Sequence, residues 1–184
     1  MSSRQFTTFA IMQITDIVLE IRNGRKFSDY QSYFKTHSEQ IGELIDLVQN
    51  KEKYPLEEYS SWILSHLVKS QKEEVQVFYN NIVDLLLENE NQSVRRNMLV
   101  VILNLKLSAY KESEFIDLLI SYIQDYETKV AAQVNAMYIL AKFVLLYPDL
   151  KPEILEIIEL HAEKKTYSYD AGRRKFIHLT RRIQ

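Results

Sequence analysis

The sequence predicts an all-α protein: a right-handed α-α superhelix of about nine helices, arranged as a solenoid. Three observations lead there. The chain of 184 residues holds only three glycines and three prolines, too few turn residues for a sheet protein or a nucleotide-binding α/β fold. Its apolar residues recur near every 3.6 positions, as helices with one buried face require. The helical segments themselves repeat at about 38 residues, the mark of stacked helix pairs. With 46% hydrophobic and 26% charged residues, the chain reads as one soluble domain over 1–184.

The elements follow in order. An N-terminal helix is expected over 5–22, where "QFTTFAIMQITDIVLEIR" sets Asp16 and Glu20 into an apolar stretch. Those charges, with no small-residue cleavage pattern behind them, argue against a signal peptide or a membrane span, so the expected location is cytoplasmic. After the polar connection "NGRKFSDYQSYFKTH" come four helix pairs: 38–50 with 56–70, 73–90 with 92–109, 112–125 with 128–147, and 152–164 with 169–184. The repeats are thus 38–70, 73–109, 112–147 and 152–184. Pro55 and Pro152 stand where a helix can start, and Pro148 where one must stop. Ser93, Ser113 and Thr128 are the expected caps.

Two registers carry the repeat. The leading helices share Ile45-Asp46-Leu47-Val48, Val83-Asp84-Leu85-Leu86, Ile116-Asp117-Leu118-Leu119 and Leu155-Glu156-Ile157-Ile158, with the acid recurring at steps of 38, 33 and 39. The trailing helices align on "WILSHL", "VILNLK", "YILAKF" and "FIHLTR", anchored at Trp62, Val101, Tyr138 and Phe176, at steps of 39, 37 and 38. One helix pair cannot cover its own apolar face, so pairs with this period stack.

Val94-Arg95, opening a trailing helix after the polar turn "ENENQS", resembles the turn and Val-Arg start of HEAT repeats. "KVAAQVNAMYIL" shows the same motif with Ala131 in place of the arginine, while Ala171 and Gly172 supply the small positions of the fourth unit, and Ser60 and Ser61 those of the first. The resemblance covers about residues 38–184. The chain also resembles a group of short bacterial helical-repeat proteins, similar in length and in the "KVAA" segment, that sometimes carry the label adenylosuccinate lyase. The lyase signature, a Gly-Ser-Ser-rich loop with Met-Pro-x-Lys-x-Asn, is absent from the sequence, so lyase activity is not expected.

Charge divides between the two sets of helices. The leading helices carry sixteen acids against one base, Lys164, a formal −15; the trailing helices carry eleven bases against Glu57, Glu58 and Asp170, a formal +8. The HEAT resemblance implies that trailing helices line the concave side, which makes that side basic. Arg95, Arg96, Lys106, Lys142, Arg173, Arg174, Arg181 and Arg182 are the candidate binding residues, and Lys106, Lys142 and Arg181, with His66, are expected to stack as one ladder. A curved basic surface concentrates anionic partners. The competing reading is a solvated face. Acids in first turns suit the helix dipole, but Arg95, Arg96, Lys129, Arg173 and Arg174 at helix starts do not. The C-terminal "TYSYDAGRRKFIHLTRRIQ" interleaves bases with Tyr167, Tyr169 and Phe176, a nucleic-acid pattern that a capping repeat also requires.

Catalytic chemistry finds little support. There is no cysteine, and His37, His66, His161 and His178 are scattered without metal-ligand spacing. No GxGxxG, P-loop or GxSxG occurs. HEAT-like alkylpurine DNA glycosylases place catalytic aromatic and acidic residues on a basic concave surface; the only nearby candidates are Trp62 with Glu57 or Glu58. The expectation is therefore a non-catalytic scaffold or adaptor that holds a protein partner, such as an acidic segment, on its concave basic face. No cofactor, metal or membrane is expected. Nucleic-acid binding is the first alternative, and a glycosylase-type enzyme the second.

Overall fold

The computed structural model describes residues 12–49, 54–162 and 166–183, and among these it holds eleven α-helices, three 3-10 turns and no strand. Residues 5–11 of the expected first helix, Asn50, residues 163 and 164, and Gln184 lie outside the described residues. α1 (Ile14–Arg22) leads through a connection containing α2 (Gln31–Thr36) to the first pair, α3 (Ile41–Gln49) and α4 (Leu56–Leu67). Then come α5 (Lys72–Gln76) and α6 (Tyr79–Glu88) before α7 (Gln92–Asn104), α8 (Glu112–Gln124) before α9 (Val130–Leu146), and α10 (Lys151–Leu160) before α11 (Tyr167–Thr180). The trailing helices α4, α7, α9 and α11 pack side by side in that order, with α1 against α4; α3, α6, α8 and α10 form a second layer behind them. This is the all-α solenoid architecture that the 38-residue period predicts.

Burial follows the repeat. Val48, Leu86, Leu119 and Ile158, equivalent residues of the leading motif, are each at most 1% exposed. The acids two positions ahead of them, Asp46, Asp117 and Glu156, are exposed, and Asp84 is half-buried. Helical geometry makes this unavoidable: two residues apart is about 200° around the helix, so a core position puts its i−2 neighbour into solvent. Each such buried aliphatic side chain contributes about 1.5–3 kcal/mol. The trailing anchors behave less uniformly, since Val101 and Phe176 are fully buried while Trp62 and Tyr138 are only half-buried.

Several boundaries differ from the sequence expectation. The helix expected over 73–90 breaks at Val77-Phe78, and the break lays the Phe78 ring over Gly42 of α3, where a Cβ would stand 3.4 Å from it. α7 stops at Asn104 rather than 109, because side chains from two other elements hold its end. Gln76 brackets Lys106, its amide donating to the Lys106 carbonyl (3.2 Å) and its oxygen accepting from the Lys106 N–H (2.8 Å), and the Lys142 ammonium takes the carbonyls of Leu103 and Leu105. The caps move as well. Asn91, not Ser93, caps α7, accepting from the N–H groups of Ser93 (2.9 Å) and Val94 (3.4 Å). Lys111, in the left-handed region with φ 45°, precedes α8 and pairs with Asp84 at 2.7 Å. Thr128 bonds Asp125 instead of capping α9, and Thr166 caps α11.

Candidate functional site

Arg95 and Arg96 start α7, and one residue of helix turns their side chains about 100° apart. Arg95 faces the leading layer. Its Nε donates to the Asn89 carbonyl that ends α6 (2.6 Å), and its guanidinium lies 5.4 Å from the centre of the Tyr122 ring in α8. A cation at a helix C-terminus neutralises carbonyls that lack intrahelical partners, and the ring face adds a cation–π contact. Burial pushes the Tyr122 phenol up to about 12, even though Arg95 pulls the other way; the hydroxyl donates to the Leu86 carbonyl at 3.2 Å. Arg95 therefore joins α6, α7 and α8 and is turned away from the open face of the trailing layer.

The expected ladder of bases does not assemble. Lys142 is half-buried, and its Nζ donates to the carbonyls of Leu103 (2.7 Å) and Leu105 (3.0 Å) at the end of α7. Burial, with the nearby Lys72 charge adding to it, holds its pKa below the usual lysine range. Lys106 lies beyond the end of α7, after Leu105 has turned extended, so it loses the helical register that was to align it with Lys142, while Arg181 is the C-cap of α11. Arg173 is taken by Glu159 (2.7 Å) and Asp170 (3.1 Å), and Arg174 pairs with Asp170. Arg181 and Arg182 are exposed after the last turn of α11. Of the predicted bases, Arg96 alone sits in a cavity on the face between α4 and α7; among the described residues its one polar contact is the Asn97 amide oxygen at 3.5 Å.

That cavity has a volume of about 570 Å³, and besides Ile21 of α1 and Tyr54 ahead of α4 it is lined from three places. Glu58, Tyr59 and Trp62 come from α4, Ser93, Arg96 and Asn97 from α7, and Arg25, Lys26 and Phe27 from the turn after α1. The spacing i, i+1, i+4 puts Glu58, Tyr59 and Trp62 on one stripe of α4. Trp62 is held from two sides: the Phe27 ring meets it edge-on at 6.0 Å and His66 lies 4.0 Å from it. His66 is fixed in turn by its Nδ1, 2.9 Å from the Trp62 carbonyl. Here His66 is a packing partner of the tryptophan.

Polar contacts, two of them buried and one part-buried, hold the two walls together. The Asn89 amide donates to the Glu57 carboxylate (2.7 Å), Asn91 donates to Glu58 (3.1 Å), and Asn97 donates to the Ser61 hydroxyl (2.9 Å). Of the two carboxylates considered beside Trp62, Glu58 lines the cavity while Glu57 is buried behind it. The contribution of Arg25, Lys26 and Phe27 was missed in the sequence, because "NGRKF" reads as a polar connection; the adjacency of two bases and an aromatic was the available signal. Among the described residues no cluster of His, Asp or Glu is arranged to hold a metal, and no helix is long and apolar enough to cross a membrane.

A family model described as HEAT repeat domain matches residues 19–176. No curated protein and no solved structure matches the chain. The matched span runs from the last part of α1 through the connection after it to residue 176 within α11, so it includes every residue that lines the cavity.

Proposed function

The chain belongs to the HEAT repeat family, and from that premise we propose that it is a scaffold or adaptor binding an acidic segment of a protein partner along the open face of its trailing helices. HEAT repeats in general serve as protein-interaction scaffolds, and the family is typically non-enzymatic. The observation that carries the reading is the contrast at the start of α7: Arg95 is spent on the scaffold, whereas Arg96 stands exposed over the cavity with Lys26 on the facing turn. Lys175, Arg181 and Arg182 extend the basic character at the α11 end of the same layer. Exposed cations contribute little to fold stability, and on this face they would attract and orient an anionic partner.

Zero-length carbodiimide cross-linking in native extract tests this, because it joins partner carboxylates to lysine amines. Links from acidic partner segments to Lys26 and Lys175 are expected. Links confined to Lys111 on the opposite layer, or capture abolished by nuclease treatment, would overturn the reading.

A further inference from the structure

Resting on that reading, we infer that the cavity under Trp62 is an anchor site for one large apolar or aromatic side chain of the partner, flanked in its sequence by aspartate or glutamate. The cavity combines two chemistries that a purely acidic ligand does not use. Its floor is aromatic: Tyr59 and Trp62 are half-buried, and the indole is already immobilised by Phe27 and His66, so little ordering is required when a ring or branched side chain packs on it. Its rim is cationic. Lys26 and Arg96 reach it from different elements, both exposed. The one carboxylate of the rim, Glu58, is engaged by Asn91, and Arg25 is partly offset by Glu20 at 3.8 Å. An apolar residue between carboxylates places each group against its complement. A volume of about 570 Å³ lies within the roughly 300–1,000 Å³ of pockets that enclose a ligand group.

The surroundings favour a peptide over a nucleic-acid strand. A strand needs cations at successive phosphates along its track. Past Arg96 the open stripe of α9 offers Ala131, Asn135 and Tyr138, and its one lysine, Lys142, is bound to backbone carbonyls. The α9 stripe thus interrupts the positive charge between the cavity and the α11 end of the layer, which suits a short motif with one anchor.

Trp62 is the only tryptophan in the chain, so its emission reports occupancy directly. A displayed library of random short peptides is selected against the full chain, and the enriched peptides are titrated against it by tryptophan fluorescence. Enrichment of an aromatic or large aliphatic residue next to Asp or Glu is expected, with a saturable change in emission. Affinity should fall about tenfold or more in a Lys26→Glu, Arg96→Glu variant and stay unchanged in Lys72→Glu, an exposed position on α5 outside the cavity lining, both variants with wild-type helicity and melting. Because Lys26 and Arg96 are exposed, these changes leave the fold intact. Enriched peptides lacking the apolar–acidic pair, no enrichment over an empty support, or saturation by single-stranded oligonucleotide with none by peptide would each overturn the inference. Cross-links on the open face together with any of the first two results reject the anchor while leaving the scaffold reading in place.

Discussion

Where α4 meets the α6–α7 pair, Glu57 accepts from Asn89 and Ser61 accepts from Asn97, all four at most 9% exposed. Where α9 meets α11, Gly172 lies directly against Val134 and Met137, close enough that a Cβ would stand 2.8 Å from a Val134 methyl. The same helix-pair repeat thus closes one seam with paired amides and a carboxylate, the other by close approach of apolar surfaces. The two solutions differ in what they specify. Directional bonds fix the register of two walls, and here they do so beneath the cavity; a dry contact maximises dispersion and tolerates a rotation of the helix more easily.

The sharpest way to break this comparison is Asn89→Ala, which leaves the buried Glu57 carboxylate without its donor. A loss of about 3 kcal/mol in urea unfolding is expected, with part recovered when Glu57→Gln is added, since a neutral amide is cheaper to bury. A cost near zero would mean that the polar seam holds nothing. At the dry seam, Gly172→Leu should cost about 2 kcal/mol through overpacking against Val134; thermal melting decides it, and an unchanged melt would show a loose contact.

A third test uses pH. Burial raises the Tyr122 and Tyr169 phenols to about 12 from 10.0, with Glu159 adding to the rise at Tyr169. A folded pKa above the unfolded one means that the stabilisation is complete below pH 10 and is lost as pH climbs towards 12. Between pH 9 and 11 the expected loss is about 1 kcal/mol per phenol, and a Tyr122→Phe, Tyr169→Phe variant should show a correspondingly flatter profile. Lys142→Met keeps the stem but removes the donor from the Leu103 and Leu105 carbonyls; a cost somewhat under about 1 kcal/mol is expected by urea unfolding. Smallest of all, Arg174→Gln breaks an exposed pair with Asp170 and should shift stability by no more than about 0.5 kcal/mol.

Much of the architecture was legible because the repeat is written in core residues. The leading motif fixed which residue of each helix is buried, as Val48, Leu86, Leu119 and Ile158 show. Helix ends were less legible, since they depend on side chains from other elements: nothing local to "VILNLKLSAY" reveals that Lys142 and Gln76 stop α7 at Asn104. The site was only partly readable for the same reason. Charge counted by helix treats every base alike, whereas Arg95 and Arg96 part company through a rotation that the repeat register sets and composition does not record. Lys26 and Phe27 fell in a connection with no period, so no face was assigned to them.

The reach of Lys142 has a consequence for how the molecule comes apart. An ammonium from the third repeat completes the end of a helix in the second, and Arg95 ties the close of α6 to a ring in α8. In a linear array the free energy then resides in couplings between neighbours as much as in the units themselves. Fraying of one repeat would strip its neighbour of a terminus and lower the threshold for the next, so the stack is expected to melt as a single cooperative unit.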